Sequence, residues 1–232
     1  MPPVARWLRE SVYKPISAYG VIGDTRSAAL IGADGSIDWC CFPRFDSSSV
    51  FAAILDVDKG GSFCIQPAGE FTSQQRYFPL TNILVTGFHL HDGTGAFDVL
   101  DFMPAPGEPA IAAPHEIHRR IRGVNGRVEV SISFQPRFDY ARAETRLELV
   151  NNGVCASSAD ETLRLTCPQP LEWRVDEETQ TATTTCIAEP GRDVWLVLRW
   201  GPDDERAESG HASQRKLEAT ASFWNQWAGK LR

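Results

Sequence analysis

Between residues 127 and 134 the chain reads Arg-Val-Glu-Val-Ser-Ile-Ser-Phe. The alternation puts Val128, Val130, Ile132 and Phe134 on one face of a strand and polar groups on the other. Short β-branched or aromatic runs bounded by Gly, Pro, Asn or Asp recur throughout, at 27–31, 36–39, 62–66, 82–90, 96–102, 116–122, 145–150, 162–165, 179–187 and 194–200. The first two flank Ala33-Asp34-Gly35, whose glycine can take the left-handed conformation that closes a hairpin. The 194–200 run is denser in apolar residues, which predicts a central strand covered on both sides. So many strands in one chain predict an all-β fold, an antiparallel super-β-sandwich of two packed sheets.

Two departures from this pattern predict helix. Residues 49–55 follow Asp46, Ser47 and Ser48, which suit an N-cap. From about 204 to 231 the chain is rich in Ala, Glu, Gln and Lys, with Leu217, Ala221, Trp224, Ala228 and Leu231 three or four apart. Phe223 and Trp227 widen that stripe. The predicted organisation is therefore a sandwich over residues 1–203 and a C-terminal linker helix over 204–232, whose aromatic face needs something to pack on.

Composition adds bounds. The 232 residues are 42% hydrophobic and 23% charged, ordinary globular usage. Net charge is −7, which argues against nucleic acid or an anionic membrane as partner. The longest apolar run, 50–55, is far too short to span a bilayer, and the first residues lack the apolar core of a signal peptide, so a cytoplasmic location is expected. Six cysteines without a C-x-x-C pair read as buried free thiols.

Common chemical motifs fail in turn. No P-loop, complete G-x-G-x-x-G or G-x-S-x-G is present. Asp56 to Gly61 imitates the start of a calcium loop, but Pro67 stands where a bidentate Glu is required, so a turn is expected. His89 and His91 would share a strand face without a visible third metal ligand, whereas His115 and His118 would face opposite ways. Asp98 and Asp101, on opposite sides of their strand, read as edge charges. No metal or cofactor is expected.

The stretch from Tyr19 to Phe51 instead crowds Gly, Asp, Arg and aromatic residues together. Trp39 and Phe42 could stack on a sugar ring, with Asp24, Arg44 and Asp46 meeting its hydroxyls. The structural alternative pairs Asp24 and Asp38 with Arg26 and Arg44 to hold hairpins.

The segments Pro15-Ile-Ser-Ala-Tyr-Gly-Val-Ile-Gly-Asp24, Asp34-Gly-Ser-Ile-Asp-Trp39 and Pro43-Arg-Phe-Asp-Ser47 resemble, in order and spacing, the N-terminal β-sandwich of glycoside hydrolase family 15. So do Arg76-Tyr77 with Thr81-Asn-Ile-Leu84, Asp101-Phe-Met-Pro104, and Phe223-Trp224 with Trp227. The nearest branch is the bacterial trehalase and glucoamylase-like proteins. Thr25 stands where Gly is usual, Cys41-Phe42 where Cys-Trp is common, and Ser48 where Pro is common.

The resemblance implies a non-catalytic domain that supports an (α/α)₆ catalytic barrel, in cis or in trans. That barrel would carry the acid and base glutamates of inverting α-glucoside hydrolysis, and no residue of this chain matches them. It further implies a substrate-pocket edge of Trp39, Arg44, Phe45 and Asp46 near an α-glucoside such as trehalose. Phe223, Trp224 and Trp227 would form a docking face, prone to self-association when uncovered. A free-standing carbohydrate-binding module for α-glucans is the alternative from another functional class. An independent enzyme would require convergent carboxylates at a pocket.

Overall fold

The computed structural model describes residues 13–106, 115–159, 161–201 and 209–230. Among them are sixteen strands in two antiparallel sheets. The first sheet runs β1 (Tyr19–Gly23), β2 (Ala28–Gly32), β3 (Ser36–Cys41), β5 (Ser62–Pro67), β10 (Val128–Gln135), β15 (Thr181–Ala188) and β14 (Arg174–Asp176), with β4 (Ser49–Phe51) paired to β3. The second runs β11 (Arg146–Val150), β12 (Gly153–Ser158), β13 (Glu161–Thr166), β16 (Asp193–Trp200), β9 (His115–Asn125), β8 (Ala96–Phe102), β7 (Leu84–Leu90) and β6 (Phe71–Tyr77).

The core between the sheets follows the alternation along the strands. Val128, Val130, Ile132 and Phe134 are all buried in it, and Phe134 meets Phe51 and Phe63 edge-on. β16 is central and buried on both faces: Leu196 and Leu198 enter the inter-sheet core, while Trp195 points to the opposite side. There it joins Ile83, Val85, Leu100 and Phe102 in a second, smaller core closed by Leu217 of the C-terminal helix. This helix (Gly210–Gly229) starts at Ser209, whose side chain accepts from the Ala212 amide.

The 33–35 hairpin forms as expected, with Gly35 at φ +86° and its amide donating to the Gly32 carbonyl. A Cβ there would sit 2.0 Å from the Ile65 carbonyl oxygen, so conformation and space both require glycine.

Charged residues also enter the interior. On β9 the side chains of Ile117, Arg119 and Ile121 turn inward, and Arg119 is fully buried. Its Nε donates to Asp101 Oδ1 at 2.7 Å, its Nη1 to the Phe63 carbonyl and its Nη2 to the Gly35 carbonyl. One guanidinium thus ties β8 of one sheet to β5 and the hairpin of the other. Asp101 is therefore an interior anion rather than an edge charge, whereas Asp98 faces out and pairs with Arg76 at 2.8 Å.

On the opposite face of β9, buried Glu116 gathers hydrogen-bond donors from three elements. Its carboxylate accepts from His118 Nε2 at 2.9 Å, Arg199 Nε at 2.6 Å and, from the helix, Lys216 Nζ at 2.6 Å. Burial alone would raise its pKa, but the His118 hydrogen bond and the His118 and Lys216 charges lower it to about 2. His115 points to the other side, near Phe42.

The expected helix at 49–55 is absent. Val50 and Phe51 continue a strand that pairs Phe51 with Cys40, and the chain then turns, Leu55 N donating to the Ala52 carbonyl. Burial of both side chains against β3 overrides the capping signal before them. Asp56 closes the next turn by accepting from the Asp58 and Lys59 amides. The first part of the expected 204–231 helix, and Leu231, lie outside the described residues. The six cysteines are free thiols, but only Cys40, Cys41 and Cys167 are buried as expected, while Cys64, Cys155 and Cys186 are half-buried. No helix among the described residues is long and apolar enough to cross a membrane.

Candidate functional site

The carboxylates of the 19–51 stretch are each engaged by a cation. Asp24 accepts from Arg26 through Nε and Nη2 at 3.1 and 2.8 Å, as the structural reading expects. Asp38 pairs with Lys14 and the Tyr19 hydroxyl rather than with an arginine, and Lys14 also reaches Asp34 at 2.8 Å. Burial and the hydrogen bond to Asp38 drive the Tyr19 phenol far above its ordinary range. Arg44 pairs with Asp46 through two bonds of 3.0 and 2.9 Å.

That pair lies on an exposed loop between β3 and β4. Its side chains are 66% and 53% exposed, and Phe45 between them is 71% exposed. The loop is tied down by its backbone. The Phe45 amide donates to the Arg26 carbonyl at 2.9 Å, and the Ser47 amide to the Arg44 carbonyl at 3.0 Å. A short, hydrogen-bonded loop thus presents a phenyl ring between a cation and an anion.

Phe45 borders a cleft of about 530 Å³, whose floor is the edge strand β1 at Val21 and Gly23. Tyr77 and Asn82 form another wall, and Trp224 of the C-terminal helix closes it. The Tyr77 hydroxyl accepts from the Val21 amide at 2.7 Å and donates to the Val21 carbonyl at 3.0 Å, while Asn82 Nδ2 donates to the Gly23 carbonyl. Around this cleft stand further exposed apolar groups, Val21 at 47% and Tyr77 at 44%. Trp224 packs edge-on against Phe223 and Trp227 at 5.2 and 5.9 Å, and Trp227 is half exposed.

The expected site residues therefore separate into two groups. Phe45 and Trp224 share the cleft, with Arg44 and Asp46 beside Phe45 in the loop and Phe223 and Trp227 behind Trp224. Trp39 does not line it. It is half-buried and lies 6.1 Å from the ring of Tyr140, a neighbour that its sequence does not suggest. Phe42 is corrected outright: it is buried and stacks on Trp200 at 6.2 Å, so it has no face to offer a sugar. Tyr77 and Asn82 are the cleft residues that reading by residue type misses, although both fall in segments that carry the family resemblance.

His89 is exposed near the end of β7, and His91 lies beyond the strand, 3.5 Å from Glu70. No cluster of potential metal ligands occurs among the described residues.

Two stacked antiparallel sheets with a helix on one outer face define a super-β-sandwich module. A bacterial glucoamylase solved in complex with acarbose has the same fold, with a TM-score of 0.57 over 99% of this chain and 38% of that one, at 10% identity. The chain belongs to the trehalase-like N-terminal family, whose model matches residues 4–224. The trehalase of Thermoplasma volcanium is 30% identical over 218 residues, covering 93% of this chain and 34% of that protein. The trehalase of Mycobacterium tuberculosis is 31% identical over 238 residues, with the same two shares. The chain thus spans about a third of the length of these curated relatives.

Proposed function

We propose that this domain serves as the non-catalytic N-terminal β-sandwich of an α-glucoside hydrolase of the trehalase or glucoamylase type. In this reading it packs against an (α/α)₆ catalytic domain, in cis or in trans, and contributes an edge to its substrate pocket. The observation that carries it is the cleft, where Phe45 of the exposed loop and Trp224 of the helix border one apolar recess. Exposed apolar surface of this kind gains most by being covered by protein. Phe223, Trp224 and Trp227 are the docking residues. Arg44 and Asp46, already paired in a plane, offer donors and acceptors to glucoside hydroxyls, with Phe45 and Trp39 as aromatic neighbours. Free thiols suit work in the cytoplasm.

The test is glucose release from trehalose and maltooligosaccharides by the 232-residue chain, alone and with a separately expressed family barrel domain. Silence alone with enhancement of the barrel is expected. Hydrolysis by the chain alone would refute the proposal and direct mutation to Asp24, Asp38 and Asp46. Retardation in a glucan affinity gel without any effect on the barrel would favour the carbohydrate-binding module, a reading already weakened by the burial of Phe42.

A further inference from the structure

Residues Asp139, Tyr140 and Ala141 have φ values of 50°, 57° and 62°, three successive non-glycine residues in left-handed conformation. Side chains there crowd the following carbonyl, so single residues visit this region and runs of them rarely do. Such strain persists only where surrounding contacts enforce it. Here the contacts lead to one place.

Ser48 Oγ, at the end of the exposed loop, donates to Asp139 Oδ1 at 3.0 Å. Arg142 Nη2 donates to the same oxygen at 2.6 Å. The Tyr140 hydroxyl donates to the Ser47 carbonyl at 3.4 Å. Just before the turn, the Arg137 amide donates to the Val50 carbonyl at 2.8 Å, so both ends of the 47–50 segment are held.

We propose that the left-handed turn 139–141 is a bracket that positions the Arg44-Phe45-Asp46 edge, with Asp139 and Tyr140 as positioning residues. The inference deepens the proposed function, since it gives the pocket-edge loop its support. Arg142 lies over the Tyr140 ring at 5.4 Å and Trp39 tilts against it at 6.1 Å, so both are its packing partners. The left-handed backbone is what brings the Asp139 carboxylate and the Tyr140 hydroxyl to neighbouring residues of one loop.

The test compares hydrogen exchange at the Phe45 and Ser47 amides in the wild-type chain, Asp139→Ala, Asp139→Asn and Ser48→Ala. Asp139→Ala removes the acceptor and should speed exchange of both amides by about tenfold, while β10 amides are unaffected. Asp139→Asn keeps an acceptor and a residue type that tolerates the left-handed region, and should restore protection to within about twofold. Ser48→Ala breaks the same bond from the loop side without touching the strained turn. It keeps the test decisive if Asp139→Ala does not fold. Unchanged loop exchange in Ser48→Ala and in any folded Asp139→Ala, or equal acceleration across the whole sandwich, would overturn the bracket.

A second arm separates this inference from the reading it rests on. Enhancement of the barrel domain should fall in the variants with the loosened loop and return in Asp139→Asn. Loop loosening with unchanged enhancement would leave the bracket standing and refute the loop's part in the pocket.

Discussion

Replacing Glu116 by Gln should both destabilise the domain and flatten its response to acid. The carboxylate is buried, with a pKa held at about 2 against an ordinary value of 4.5. At about 1.4 kcal/mol per unit, that difference corresponds to on the order of 3 kcal/mol of folding stability. Because the folded pKa is the lower one, the contribution is complete above about pH 4.5 and is lost as pH falls toward 2. The neutral amide leaves His118, Arg199 and Lys216 without their anion. Breaking a buried pair costs roughly 3–5 kcal/mol, and the low end applies because Arg199 and Lys216 are 24% and 29% exposed and can regain water. Urea denaturation followed by tryptophan fluorescence, at pH 7 and in steps from pH 5 to 2.5, measures both effects. Wild type should exceed Glu116→Gln by about 3 kcal/mol at pH 7, and the curves should converge in acid. A gap below about 1 kcal/mol at pH 7, or one as large at pH 2.5 as at pH 7, would refute the reasoning. Lys216→Met should cost only about 1 kcal/mol, since its ammonium is partly hydrated, yet it should make the C-terminal helix more sensitive to protease.

Arg119→Met should be among the most damaging substitutions, on the order of 3–5 kcal/mol by thermal or urea unfolding, because it leaves Asp101 and two carbonyls buried without their donor. Gly35→Ala should cost more than the usual 1 kcal/mol or so of a surface glycine change, as its Cβ would collide with Ile65; an unchanged melting temperature would contradict the hairpin geometry. Burial raises the Cys64 and Cys186 thiols to about 12 and Cys167 to about 11, so a thiol reagent at pH 8 should label them rapidly only in denaturant. Phe45→Ser and Trp224→Ser should each reduce concentration-dependent self-association in sedimentation velocity. Loss in neither would argue against the cleft as a sticky surface.

What the sequence reveals depends on how clearly each segment separates its two faces. β10 is visible in its alternation, and β8 (Ala96–Phe102) coincides with its expected range. β6 reads Phe-Thr-Ser-Gln-Gln-Arg-Tyr, an outer strand with no apolar stripe, and β12 is built largely of small residues, so neither gives a hydrophobic signal. Arg119 was readable in principle, since it falls between inward-facing Ile117 and Ile121 at a period of two. Its charge hides that position from a reading by residue type. In the candidate site, Phe45 and Trp224 could be named as candidates, but their meeting depends on where the helix crosses the second sheet. Tyr140 was invisible, because Asp-Tyr-Ala contains no glycine to announce a left-handed turn.

The hydroxyl of Tyr77 and the amide of Asn82 occupy main-chain groups along the outer edge of β1 that would otherwise be open to another strand. An unguarded edge beside apolar surface is a template for strand addition, and strand addition by many copies leads to fibrils. With Val21 satisfied at both its amide and its carbonyl, an incoming strand would have to break two bonds before making any. Association at this end of the sandwich is thereby steered toward side-chain burial, which is reversible and selective for shape. The surface can remain adhesive to other side chains without inviting the chain to polymerise through its backbone.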